Sequence, residues 1–169
     1  FSGGEPFAQP EFLRQLVTAC KRWGIDTAVE TCGHFDWEQG KDIIALLDCV
    51  FIDCKHMDDA VHRRMTGASN QRILENITAA SLLNPNTIVR VPLIEEVNAS
   101  EDNIRAMCAY LQLDTKVNGV ELLPYHDYGA AKYNAVGAAG HSFTTPADAK
   151  IEELKRIISE YGLKVIDFK

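Results

Sequence analysis

The 169-residue chain has no excess of positive charge, no long apolar run and no two cysteines at CxxC spacing. With 17 Lys and Arg against 24 Asp and Glu, the net charge is -7. That balance argues against a broad basic surface for nucleic acid or for an anionic membrane. Apolar runs last only a few residues, far below the ~20 needed to cross a bilayer. No signal peptide opens the chain, so the expected location is cytoplasmic. The five cysteines, Cys20, Cys32, Cys49, Cys54 and Cys108, are odd in number, scattered and partly set in apolar runs. They read as reduced, mostly buried thiols. Internal repeats and low-complexity linkers are lacking too. What is present is ordinary: 46% hydrophobic and 24% charged residues, close to the globular average. The length suits one domain, residues 1–169. The first residue is Phe, which fits a piece of a longer protein.

Helical and extended patterns alternate along this domain. Phe12, Leu13, Leu16, Val17 and Cys20 follow a helical period, with Pro10 at the start and Gly24 as the stop. Asp26 to Thr31 reads as a strand, Trp37 to Leu47 as a helix, and the compact CVFI run from Cys49 as a strand buried on both faces. A polar link follows. Asn70 to Leu83 is helical, Thr87 to Leu93 extended, and Ser100 is placed to cap the next helix. Gly119 to Leu123 reads as a strand, Pro124 to Thr144 as a long loop, and Thr145 as the cap of a helix with Pro146 in its first turn and Gly162 as its stop. KVIDF reads as a final short strand. The expected fold is α/β, with parallel strands and outer helices. Four good strands and a weak fifth are too few for an eight-stranded barrel. SGGEP resembles the exit of a strand that is missing, so the expectation is an incomplete (β/α) barrel without its N-terminal strand.

In such folds ligands bind where strands hand over to helices. The strand ends offer Gly3-Gly4-Glu5, Glu30-Thr31, Asp53 with Lys55, and Tyr125-His126, while Arg90 lies inside VRV. Asp53 and Lys55 are two apart and share a face of extended backbone, where opposite charges keep both ionised. Each residue also has a structural explanation. The glycines serve a turn, the acids cap helices, and an internal salt bridge satisfies Arg90 as well as a ligand does. His34, His56, His62 and His141 read as structural histidines. The functional reading rests on convergence.

Taken in order, SGGEP, VETCG, FIDCKHM, HRRMTGASNQRILENI, VRVPLI and VELLPYHDYGAAKY resemble the activating enzymes of glycyl-radical enzymes, within the radical SAM superfamily. The likeness is greatest to activators of pyruvate formate-lyase. It implies a partial (β/α)6 barrel that binds S-adenosylmethionine at the strands' carboxyl ends. On that resemblance Gly3, Gly4 and Glu5 hold the methionyl amino group. Lys55 and Arg90 lie near the methionyl carboxylate and other polar groups, and His126 beside the ribose or adenine. Glu30, Thr31 and Asp53 match a cluster that in some relatives also holds a monovalent cation, although Glu30 stands where a close relative has a shorter aspartate.

The implied chemistry is one-electron cleavage of the sulfonium by a [4Fe-4S] cluster, then removal of a glycine hydrogen from a partner enzyme. Flavodoxin or ferredoxin would be the electron donor, and no side chain would act as acid or base. The cluster needs CxxxCxxC, which this sequence lacks; the family carries it N-terminal to GGE. The chain alone is therefore expected to be inactive and its full-length parent active. IEEVNAS stands where relatives show a Pro-Gly turn. Two other readings stay open: a barrel aldolase with Lys55 as Schiff-base lysine and Asp53 as its proton partner, and a non-catalytic module that binds S-adenosylmethionine or the partner.

Overall fold

The computed structural model describes residues 1–126, 137 and 143–167. The middle of the long loop after Pro124, with Asp127 to Tyr133 and His141, lies outside the described residues. After a one-turn 3-10 helix at Pro6–Ala8, the elements are α1 (Pro10–Arg22), β1 (Ala28–Thr31), α2 (Trp37–Leu46), β2 (Cys49–Asp53), α3 (Asp59–Thr66), α4 (Gln71–Leu83), β3 (Thr87–Leu93), α5 (Glu101–Asp114), β4 (Gly119–Pro124) and α6 (Asp148–Glu160). The four strands form one parallel sheet in the order β1-β2-β3-β4. Parallel neighbours need a crossover, and the intervening helices supply it.

Paired positions in a parallel ladder point to the same side, so the registers sort the strand residues into two faces. Val29, Val50, Ile52, Val89, Val91 and Val120 share one face and are buried against Val17, Ile43, Ile77, Ile104, Leu154 and their neighbours from the helices. Glu30, Phe51, Asp53, Arg90 and Glu121 share the other, the inner face of the part-barrel. The core helices pack on the first face. CVFI is consequently one-sided: Val50 and Ile52 are fully buried, whereas Cys49 and Phe51 are only partly so. The expectation of a strand buried on both faces is corrected on that ground.

The structure also differs at three local points. The polar link after Lys55 contains α3, capped by the Asp58 side chain, which accepts from the Val61 amide. Only His62 of that helix is buried, so no apolar period announces it. Thr145 does not cap α6, which starts at Asp148 with Ala147 at the cap position. Its hydroxyl instead donates to the Tyr125 carbonyl at 2.6 Å. The described part of KVIDF, Lys164 to Asp167, forms a parallel bridge, Val165 to Val120, rather than a strand. Ser100 does cap α5, its hydroxyl accepting from the Asn103 amide at 3.3 Å. At the opposite edge, Phe1 makes both main-chain bonds of a parallel bridge to β1, donating to Ala28 O and accepting from Glu30 N.

Candidate functional site

Gly3 and Gly4 take φ values of 82° and 55°, the left-handed region where a side chain is strained. A Cβ built on either would meet nothing within 4 Å, so the main chain here stands open to approach. Glu5 closes the turn. Its carboxylate accepts from the Phe7 amide at 3.1 Å, the Thr31 hydroxyl at 2.7 Å and the Cys32 amide at 2.8 Å. Those bonds tie the glycine loop to the end of β1, and they use three of the carboxylate's about four lone-pair sites.

Arg90 lies at the middle of the inner face. Its Nε donates to Glu121 and its Nη1 to Glu30, both at 2.5 Å, and its guanidinium carbon sits 3.7 Å from the centre of the Phe51 ring. Burial opposes the charge, but the bonds from Glu30 and Glu121 outweigh it and hold the guanidinium pKa above its ordinary value. Glu30 also accepts from the Ser2 hydroxyl at 2.7 Å. That bond, together with Arg90, holds the Glu30 carboxyl below its usual range. Glu121 escaped the sequence reading. The signal was an acid inside apolar VELL; the register pairs it with Arg90.

Asp53 pairs with Arg90 in the ladder and bonds Lys55 Nζ at 2.6 Å, as the two-residue spacing predicts. Three asparagines fix the loop that carries Lys55. Asn98 donates to Lys55 O and to Pro92 O, each at 2.8 Å, and accepts from the Ile94 amide at 2.7 Å. Asn103 accepts from the Met57 amide at 3.0 Å, and Asn70 donates to His56 O and Met57 O. The TGASN stretch works in the same direction. Ser69 and the Asn70 amide bond Asp59, while the Ala68 carbonyl meets His62 Nδ1 at 2.7 Å. A cavity of about 180 Å³ lies between this loop and the end of β3, lined by Lys55, His56, His62, Pro92, Ile94 and Phe143 among others.

His126 stands just past β4, exposed, with Nδ1 3.0 Å from Pro124 O. Of the histidines read as structural, His62 is buried, His56 is partly buried and His34 is exposed. His56 accepts from the Asp58 amide through Nδ1, and burial lowers its pKa. The candidate cation residues are drawn apart. Glu30 turns to Arg90 and Ser2, Asp53 to Lys55, and Thr31 lies on the helix-covered face with its hydroxyl on Glu5. No group of three His, Cys, Asp or Glu able to hold a metal ion occurs among the described residues. The cysteines therefore offer no iron-sulfur site. Burial pushes the Cys54 thiol up to about 12 and Cys108 to about 11.

A parallel sheet with outer helices on one face and polar residues on the other and at its carboxyl ends defines a partial (β/α) barrel. The Radical SAM superfamily profile matches residues 1–108, and the chain belongs to that superfamily. Its relatives are glycyl-radical enzyme activating enzymes. It is 39% identical over 168 residues to the choline trimethylamine-lyase activating enzyme of Oleidesulfovibrio alaskensis, covering 96% of this chain and 54% of that relative. It is 34% identical over 171 residues to the trans-4-hydroxy-L-proline dehydratase activating enzyme of Clostridioides difficile, covering 97% of this chain and 56% of that relative. The chain thus spans about half the length of these relatives. A crystal structure of a domain of pyruvate-formate lyase-activating enzyme from Bacteroides vulgatus superposes with a TM-score of 0.83 at 30% identity, over 100% of this chain and 97% of that one. No helix among the described residues is long and apolar enough to cross a membrane.

Proposed function

We propose that this chain is the S-adenosylmethionine-binding part of a glycyl-radical enzyme activase. The observation that carries the reading is the inner face, where Ser2, beside the Gly3-Gly4 turn, bonds Glu30 of the Glu30-Arg90-Glu121 network and the Asp53-Lys55 pair stands at the end of β2. The residues suit the ligand chemically. Carbonyls of the open glycine loop and the remaining lone pair of Glu5 accept from the methionyl ammonium. Lys55 spends one of its three N–H donors on Asp53, and among the described residues Arg90 bonds through Nε and Nη1, which leaves donors for a carboxylate. His126, just past β4, would meet the nucleoside. S-adenosylmethionine would supply a one-electron cleavage to methionine and a 5'-deoxyadenosyl radical that takes a hydrogen atom from a glycine Cα of the partner. What the chain's own residues do is orient the ligand and exclude competing reactions.

The described residues do not fit an iron-sulfur cluster, and the electron source, a cluster fed by a flavodoxin or ferredoxin, is proposed to belong to the longer parent. This chain alone would be inert. The partner is a glycyl-radical enzyme. The relatives named for choline trimethylamine-lyase and trans-4-hydroxy-L-proline dehydratase at 39% and 34% identity widen the choice beyond pyruvate formate-lyase. The aldolase reading is disfavoured because the family profile over residues 1–108 and the relatives are those of radical SAM activating enzymes; the Lys55–Asp53 bond at 2.6 Å suits either reading. The test is anaerobic incubation of the parent with reductant, S-adenosylmethionine and a candidate partner. Formation of 5'-deoxyadenosine and a glycyl radical signal by electron paramagnetic resonance is expected. Borohydride trapping of a carbonyl compound on Lys55, with no 5'-deoxyadenosine, would overturn the proposal.

A further inference from the structure

We propose that Glu121 makes this site prefer a cationic sulfonium ligand over the corresponding neutral thioether. The inference rests on assigning the inner sheet face to S-adenosylmethionine. The side chains on that face carry three acids, Glu30, Asp53 and Glu121, against one base, Arg90, with Lys55 joining from the adjoining loop. Asp53 and Lys55 cancel as a pair. What remains is one guanidinium shared by two carboxylates, a group of net charge −1 set over the Phe51 ring. The same group is a favourable neighbour for positive charge.

The two acids are not equivalent. The Glu30 side chain is 49% exposed, and water screens it; that of Glu121 is 6% exposed, where each charge acts through a lower effective dielectric. One Glu121 oxygen accepts from Arg90 Nε, and the other accepts no hydrogen bond from the described residues. A nearly buried carboxylate with a spare acceptor is thus held on the face assigned to the ligand, fixed by the arginine beside it. S-adenosylmethionine carries an ammonium, a carboxylate and a sulfonium, for a net +1. S-adenosylhomocysteine has the same nucleoside and amino acid with a neutral sulfur, for a net of zero. The difference is the charge that Glu121 senses.

Isothermal titration calorimetry of this chain with each of the two ligands tests the idea. Glu121→Gln keeps the shape and an oxygen for Arg90 Nε but removes the charge. It is expected to weaken S-adenosylmethionine roughly tenfold and S-adenosylhomocysteine by less than about twofold. Glu30→Gln should change the ratio by less than about threefold, and Glu121→Asp should keep most of the wild-type preference. Equal losses for both ligands in Glu121→Gln, or an unchanged ratio, would overturn the inference while leaving the site assignment standing. A wild-type chain that binds neither ligand would overturn both. If Glu121→Gln fails to fold, Glu121→Asp decides: loss of the preference with the charge retained contradicts the proposal.

Discussion

Replacing Arg90 with methionine removes the cation that bonds Glu121. The Arg90 side chain is 14% exposed and that of Glu121 6%, so the pair is substantially desolvated. Removing one member of a buried ion pair costs about 3–5 kcal/mol, because the other charge stays buried without compensation. Arg90 keeps some contact with water, at 14% exposure, which places the expected loss near the lower bound, about 3 kcal/mol. Glu30, half exposed, contributes less than ~1 kcal/mol. With a urea m-value of about 2 kcal/mol/M, Arg90→Met should lower the denaturation midpoint by about 1.5 M. Circular dichroism during urea titration of this chain measures it. The double variant Arg90→Met/Glu121→Leu should recover to within about 1 kcal/mol of wild type, since an apolar pair of similar volume replaces the ion pair. A single-variant loss below about 1 kcal/mol, or a double variant as unstable as Arg90→Met, would refute this account of the network.

Asn98→Ala orphans two carbonyls and the Ile94 amide, and should cost about 2–3 kcal/mol in the same titration. Gly33→Ala should be costlier than Gly67→Ala: both glycines have positive φ, but only at Gly33 would the new Cβ meet side chains, Ile52 at 2.8 Å and Ile73 at 3.0 Å. Thiol titration of the native chain should leave Cys54 and Cys108 unmodified, and full reactivity should return in denaturant; early modification of either would contradict their burial. Asp59, bonded by Arg63, Ser69 and Asn70, should titrate at about 2 by carbon-detected NMR, below its ordinary 3.8. The sign follows from that depression: its anchoring of the TGASN turn is complete above pH 3.8 and is lost as pH falls through about 2.

The strands were legible because their apolar composition and turn signals agree, and Thr87–Leu93 matches the expectation residue for residue. The helix α3 was not, since one buried residue in eight gives no period. Nor was the exposed face of CVFI: an apolar run says nothing about which side the helices will cover. The Asp53-Lys55 pair could be read from a spacing of two. The asparagine supports could not, because Asn98 reaches Lys55 across 43 positions and Asn103 reaches Met57 across 46. Glu121 lay between these cases. Its charge inside an apolar strand was visible, while its partnership with Arg90 depended on the β3–β4 register. The expected grouping of Glu30, Thr31 and Asp53 overlooked the alternation that sends Thr31 to the other face.

The central claim is that the inner face at the strands' carboxyl ends receives S-adenosylmethionine. Amide chemical-shift mapping of this chain during titration with S-adenosylmethionine tests it most directly. Saturable shifts at Gly3, Gly4, Lys55, Arg90 and His126, with α2 and α4 undisturbed, are the predicted result. Shifts confined to the helical face, or none at saturating ligand, would contradict it.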